Sequence, residues 1–283
     1  MSGPASDFKD RYGSWAVIAG GSDGIGASFA HQVAAEGLNV VLLARRRDVL
    51  DQCAASVRRS HGVEVRTVSL DLTAAGLVAE VRSATSDLEV GLLIYNAGAP
   101  RGAPRFLDEP IEQALALLRL NCDGPLLLAH HFGQSMRQRR RGGMIFLTSM
   151  AGLAGSSYQA TYCATKAFDH LLAESLWHDL HPFGIDVLSL VVGATDTPTA
   201  ARLNLDFGAL GRAGWQGATM APDAVAAEGL SNLGKGPFWI AGEVNRQAAG
   251  LFLSPDRVPA VEAMSMGAAL MRGLEHRPVT SRE

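Results

Sequence analysis

The sequence predicts an α/β protein, a doubly wound parallel sheet of about seven strands with a helical extension at the C-terminus. Three observations carry that expectation. Short, continuously apolar runs of strand length recur between Trp15 and Val192, each separated from the next by a segment of helical periodicity, the pattern of a parallel sheet covered on both faces. The first run leads through a glycine-rich turn, Gly20-Gly21-Ser22-Asp23-Gly24-Ile25-Gly26, straight into a helix. No Pro/Ser-rich linker, low-complexity tract or repeat divides the 283 residues, so residues 1–283 are expected to form a single domain.

Trp15 to Ala19 is the first strand and Ile25 to Glu36 the first helix, which stops at Gly37. Asn39 to Ala44 is the second strand, an unbroken apolar run after its asparagine, and Asp48 to Arg59 the second helix. The alternation continues with strand Glu64 to Ser69, helix Ala74 to Thr85, strand Val90 to Tyr95 and helices Glu109 to Leu120 and Gly124 to Gln138. Strand Met144 to Thr148, helix Ala160 to Leu180 and strand Ile185 to Val192 follow. Beyond Val192 the pattern loosens. Gly193 to Met220 is glycine-rich with scattered apolar residues, among them Leu203, Leu205, Phe207, Leu210 and Trp215. Two readings stand for it: a substrate loop or lid over residues 193–220, or a helical hairpin packed on the sheet. Pro222 to Leu230 is a helix and Pro237 to Ile240 a last strand. Residues 255–274 form an Ala/Met-rich helical segment that covers either the body or a partner subunit.

Hydrophobic residues make up 47% and charged residues 19%, an ordinary globular balance, and the net charge of -3 gives no reason to expect nucleic acid. Of two basic runs, Arg139-Arg140-Arg141 is expected to be solvated surface. The three cysteines, Cys53, Cys122 and Cys163, form no Cys-x-x-Cys pair, so neither a disulfide framework nor a zinc site is indicated and a reducing, cytoplasmic setting is expected. The histidines show no His-x-x-x-His pair, and no metal is expected. No apolar run approaches the ~18–20 residues of a membrane span, nor do the first residues carry a signal-type stretch, so the expectation is a soluble protein.

The chemistry concentrates in Tyr162-Cys163-Ala164-Thr165-Lys166. A Tyr and a Lys at i and i+4 share one helical face, where an ammonium beside a phenol favours its ionised form, as an acid/base tyrosine needs. The same spacing also occurs on ordinary solvated helices. Ser149 follows a strand end, where ligands gather in open α/β sheets, and a hydroxyl there can stabilise charge on a reacting carbonyl. In the glycine turn, Gly20, Gly24 and Gly26 let a pyrophosphate approach the backbone at a helix N-terminus; a plain strand-to-helix turn is the alternative.

The glycine turn, Asn96-Ala97-Gly98 after the fourth strand, Asn121, Ser149 and Tyr162-x-x-x-Lys166 stand in the order and spacing of the short-chain dehydrogenase/reductase family, which the chain resembles from about Ser14 to Pro198. Within it the chain is most similar to the branch of 3-oxoacyl thioester reductases and 17β-hydroxysteroid dehydrogenases. The resemblance implies a Rossmann-type sheet and a catalytic set. Tyr162 would be the general acid/base. Lys166 would tune it and hold the nicotinamide ribose, Ser149 would bond the substrate oxygen, and Asn121 would position a water in a proton relay. For Asn121 a helix-kink or capping role stands as the alternative. The resemblance also assigns cofactor contacts to Gly20, Ser22, Asp23, Gly24, Ile25, Gly26, Asp71, Leu72, Asn96, Ala97, Gly98, Gly193, Thr195 and Thr197, with helix or turn capping as the other reading of Asp71 and Thr197. Ala19, Tyr95 and Val192 depart from the usual Thr, Asn and Pro.

In NAD enzymes an acidic residue at the end of the second strand accepts from the ribose 2′-hydroxyl, whereas a 2′-phosphate needs a cation. Here Ala44 is followed by Arg45 and Arg46, so NADP(H) is expected over NAD(H), although Asp23 stands where other NADP-preferring members carry a basic residue. The expected activity is ketone and secondary-alcohol interconversion on a small hydrophobic carbonyl or alcohol substrate, of steroid or 3-oxoacyl type, by a homodimer or homotetramer. A non-catalytic dinucleotide-sensing protein on the same fold is the rival reading, and a sugar-nucleotide epimerase or dehydratase a second.

Overall fold

A computed structural model describes residues 4–98, 105–276 and 278. Its elements run α1 (Pro4–Tyr12), β1 (Trp15–Ala19), α2 (Gly24–Ala35), β2 (Asn39–Ala44), α3 (Arg47–His61), β3 (Val65–Ser69), α4 (Leu77–Thr85) and β4 (Val90–Tyr95). Then come α5 (Ile111–Leu118), a π-helical turn (Arg119–Asp123), α6 (Gly124–Arg139), β5 (Gly142–Ser149), α7 (Ala160–Leu180) and β6 (Ile185–Val192). The chain continues through α8 (Pro198–Arg202), α9 (Gly208–Arg212), α10 (Pro222–Asn232), β7 (Phe238–Ile240), α11 (Glu243–Phe252) and α12 (Arg257–Leu270).

The seven strands form one parallel sheet in the order β3-β2-β1-β4-β5-β6-β7. The order reverses at β1, whose two neighbours are β2 and β4, and this opens a crevice at the carboxyl ends of those strands. Buried side chains divide by strand parity. Ala16, Ile18, Val40 and Leu42 pack beneath α2, α3 and α10, while Val17, Val41, Leu43 and Phe146 pack beneath α4, α6 and α7. Each fully buried branched or aromatic side chain contributes about 1.5–3 kcal/mol, which is why unbroken apolar runs form the central strands.

Three features depart from the sequence expectation. Residues Pro4–Tyr12, to which the sequence assigns no element, form α1, whose Tyr12 donates its hydroxyl to Asp186 Oδ2 at 2.9 Å. Helix α11 was not anticipated; its buried Asn245, Ala249 and Phe252 share one face, and the polar Asn245 interrupts the apolar signal. The Arg139 to Arg141 run is not idle surface. Arg139 donates to Val90 O at 2.6 Å and Arg140 to Pro182 O at 2.8 Å, while Arg141 pairs with Glu89, so the run ties α6 to the amino-terminal edge of the sheet.

The 193–220 excursion holds α8 and α9, with its neck closed by a bridge between Thr195 and Met220, where Met220 N donates to Ala194 O at 2.9 Å. With α11 and α12 it roofs the carboxyl ends of β5 and β6. The C-terminal segment therefore covers the body of this chain. Among the described residues no helix is long and apolar enough to cross a membrane, and no group of acidic, His or Cys side chains could hold a metal ion.

Candidate active site

The glycine turn closes the carboxyl end of β1 and hands the chain to α2. A Cβ on Gly26 would lie 2.1 Å from Gly20 O, so only glycine allows the helix to start this close to the strand. Asn96 Nδ2 donates to Gly20 O at 2.9 Å and fixes the turn against β4. Asp23 is the N-cap of α2 yet makes no side-chain capping bond. Its carboxylate instead pairs with Arg46 at 2.5 Å and with Arg202 of α8 at 3.2 Å. The first N–H groups of α2 are thus left facing the crevice, and the close glycine backbone fits a dinucleotide pyrophosphate.

Tyr162 and Lys166 lie one turn apart on α7, as their spacing predicts. Lys166 is buried, and its Nζ donates to Leu147 O at 2.8 Å and to Asp169 Oδ2 at 2.9 Å. Burial pulls this ammonium down, but Asp169 and Tyr162 more than offset it, so Lys166 stands above its ordinary value. Asn121 is fully buried on the π-helical turn; its Nδ2 donates to Thr165 Oγ1 at 2.9 Å, and its Oδ1 has no hydrogen-bond partner among the described residues. A Cβ on Gly98, which has φ +140°, would sit 2.8 Å from that Oδ1 and 3.2 Å from Lys166 Nζ. Amide and ammonium therefore converge on one backbone point. Ser149 ends β5 and accepts from Ala151 N at 3.2 Å through its Oγ, whose proton has no acceptor among the described residues.

Ser149, Tyr162 and Lys166 line a cavity of about 350 Å³ together with Gly24, Ile25, Asn96, Gly98, Gly193, Thr195 and Thr197. Leu203, Leu205, Phe207, Leu210 and Trp215 from the excursion form one wall, and Ala248, Phe252, Met264 and Met271 from the C-terminal helices another. The excursion has elements of both readings, since its residues line the cavity and it contains two short helices.

Other predicted residues have local partners. Thr197 Oγ1 accepts from Ala200 N at 3.1 Å and caps α8. Asp71 Oδ1 accepts from Thr73 N at 2.9 Å, a turn rather than a helix cap, because α4 begins only at Leu77; Leu72 is buried beside it. Ser22 and Ala97 stay against the glycine turn and β4. Arg45 is exposed and makes no side-chain bond among the described residues, whereas Arg46 is held by Asp23. Three residues went unread in the sequence. Asp169 had no signal beyond its place three positions after Lys166. Gln159 and Arg272 also line the cavity, and burial pulls the Arg272 guanidinium down. Burial likewise pushes the Cys163 thiol, next to Tyr162, up to about 12, which excludes it as a nucleophile at neutral pH.

Residues 14–207 match the model of the short chain dehydrogenase family. The chain is 31% identical over 242 residues to a 7beta-hydroxysteroid dehydrogenase of Collinsella aerofaciens, covering 86% of this chain and 91% of that one. It is 35% identical over 187 residues to a very-long-chain 3-oxoacyl-CoA reductase of Aspergillus clavatus, covering 65% of this chain and 54% of the other. Among solved structures, that of a 7beta-hydroxysteroid dehydrogenase superposes with a TM-score of 0.81 at 30% identity, covering 88% and 95% of the two chains. A short-chain dehydrogenase from Sphingobium yanoikuyae in complex with NADPH gives 0.72 at 29%, covering 81% and 87%. A parallel nucleotide-binding sheet with a Tyr/Lys helix beside its crevice defines an oxidoreductase class that interconverts ketones and alcohols. The chain belongs to the short-chain dehydrogenase family, whose members work with a nicotinamide dinucleotide. That membership does not favour the non-catalytic sensor.

Proposed function

We propose that this protein reduces a hydrophobic ketone of steroid or 3-oxoacyl type to the secondary alcohol with NADPH. The observation that carries the reading is that Ser149, Tyr162 and Lys166 line one cavity beneath an apolar roof, with the buried Asn121 meeting Lys166 at Gly98 behind it. The dinucleotide, when bound, supplies the hydride. Gly20, Ser22, Gly24, Ile25, Gly26 and the α2 N-terminus would hold its pyrophosphate. Asp71 and Leu72 would flank the adenine, and Asn96, Ala97, Gly98, Gly193, Thr195 and Thr197 the nicotinamide half. Ser149 Oγ donates to the substrate carbonyl oxygen and orients it. Tyr162 Oη gives that oxygen its proton as charge develops. Lys166 stabilises the phenolate left behind, and Asn121 Oδ1 holds the water through which the proton is replaced. The roof excludes bulk water and so strengthens each of these interactions.

The preference for NADPH over NADH rests on the absence of a carboxylate at the end of β2 and on the exposed guanidinium of Arg45, whose planar fork suits a phosphate. The NADPH complex of the Sphingobium yanoikuyae relative supports it. Residues 193–220 act as the substrate lid and 255–274 as its C-terminal support within one domain. Ile111, Leu115 and Leu118 on α5, Leu126 on α6, and Phe168 and Leu171 on α7 are exposed, an apolar face suited to a homodimer or homotetramer. Three free thiols suit a reducing, cytoplasmic setting. A panel of steroid ketones, 3-oxoacyl thioesters and keto-sugars, followed by nicotinamide absorbance with NADPH and NADH, tests the reading. Turnover confined to keto-sugars, or to NADH, would refute it.

A further inference from the structure

Lys166 does not present a bare positive charge to Tyr162. Its partner Asp169 lies one turn further along α7, and both side chains are almost wholly buried, 3% and 2% exposed. An ammonium has three donors; Leu147 O and Asp169 Oδ2 take two of them, leaving one for the side toward Gly98 and Asn121. Asp169 Oδ1 has no hydrogen-bond partner among the described residues. A buried carboxylate left half satisfied is costly, and it stands directly behind a catalytic-site lysine. The groups facing the pair are Tyr162 on α7, Tyr95 on β4 and Cys122 on the π-helical turn; Asp123 of that turn faces Tyr95 and Cys122, and the Arg272 guanidinium faces Tyr162 from beyond α12. Tyr95 stays neutral because burial holds its phenol well above the ordinary value, and burial pushes the Cys122 thiol up to about 11. Burial lifts the Asp169 carboxyl above its ordinary value while Lys166 pulls it back down, and at 2.9 Å from the ammonium Asp169 is the buried counter-charge to Lys166.

We propose that Asp169 is a positioning residue of the reaction: acting through Lys166, it offsets the cation that would otherwise draw the proton off Tyr162, and so sets the site for proton donation, the direction ketone reduction needs. The proposal rests on the functional reading above. The sign follows from electrostatics, since removing a nearby negative charge makes every neighbouring group easier to deprotonate. Seven residues of helix place Asp169 ~10 Å from Tyr162, and a unit charge at that distance in a dielectric of about 20 is worth about one pH unit.

The test compares wild type with Asp169→Asn and with Asp169→Glu, which keeps the charge. In Asp169→Asn the acidic limb of the oxidation profile and the alkaline limb of the reduction profile should both move down by about one pH unit, while Asp169→Glu stays near wild type. Nitrogen-15 NMR of the lysine ammonium groups in cofactor-free protein gives a readout independent of turnover: Lys166 should lose its proton at lower pH in the Asn variant. Unmoved limbs, or an unmoved Lys166 titration, in a folded Asn variant overturn the proposal. Should that variant fail to fold, Asp169→Ser replaces it, and loss of the fold in both makes Asp169 a structural residue and likewise overturns the assignment. A wild type that turns over no ketone refutes the functional reading instead, while the lysine titration still judges Asp169.

Discussion

The hydroxyl of Tyr95 donates to the carbonyl of Leu120 at 2.5 Å, tying the end of β4 to the π-helical turn that carries Asn121. A π-turn leaves its backbone bonds out of register, and a side-chain donor that reaches one of its carbonyls holds it in place. The fit is mutual, because a Cβ on Gly124 would lie 2.1 Å from the Tyr95 hydroxyl. Tyr95→Phe should cost about 1–3 kcal/mol in chemical denaturation by stranding the Leu120 carbonyl. Gly124→Ala should cost more in the wild type than in the Tyr95→Phe background, a coupling that a double-mutant cycle measures. Equal costs in both backgrounds would mean that the two residues are independent.

Tyr162→Phe should lower turnover by at least ~10²–10⁴ while leaving dinucleotide affinity nearly unchanged, because the change removes only the hydroxyl that moves the proton. Fluorescence titration of the cofactor beside steady-state kinetics separates the two effects. Activity within threefold of wild type would remove Tyr162 from its role.

Arg45 and Arg46 follow each other in sequence but differ in circumstance, since Asp23 holds Arg46 and leaves Arg45 at the end of β2. Arg45→Ala should weaken NADPH by roughly 10- to 100-fold, the worth of a charge-assisted bond at about 1.5–3 kcal/mol, with NADH little changed. Asp23→Ala should act in the opposite sense. It frees Arg46 and Arg202 and removes a carboxylate from the crevice where the proposed cofactor's phosphates would sit, and α2 loses no capping bond. Calorimetric titration with both cofactors decides; equal changes for NADPH and NADH would show that neither residue reads the 2′-phosphate.

How far the site could be read from sequence depended on whether its residues act through spacing or through contact. Tyr162 and Lys166 are set by helical geometry, and helix α7 runs over Ala160–Leu180 as read. Strands β1, β2 and β4 were legible because each is buried on both faces and so almost unbrokenly apolar, whereas β3, Val-Arg-Thr-Val-Ser at the sheet edge, is half-buried and gives a weaker signal. Tyr95 was visible as a departure, but its bond to Leu120 spans 25 residues and has no local signature. Asp169 carries the same difficulty in another form: only burial distinguishes it from a solvated helix carboxylate. Helices α8, α9 and α11 are short or mixed in polarity, so propensity over their length is too weak to announce them. The salt bridge from Asp23 to Arg202 joins residues 179 apart, and nothing in either neighbourhood foretells it.

The proposed lid should respond to ligand. Residues 193–220 have only two five-residue helices, and their neck is held by the Thr195 to Met220 bridge, so little regular backbone bonding restrains them. Leu210 is buried against the body, while the Trp215 ring rests near Gly267 of α12 and also borders the cavity. An apolar ligand would give these side chains a further surface to cover, at the entropic cost of ordering the loop. Amide exchange across 198–218 should be fast in the free protein and slow markedly when NADPH and a hydrophobic ketone are both present. NADPH alone should protect chiefly Thr197 to Arg202, which border the glycine turn through Gly24 and Asp23. Trp215 fluorescence should shift with the ketone and not with cofactor alone. Protection that is the same with and without ligands would make the segment a fixed wall of the cavity and not a lid.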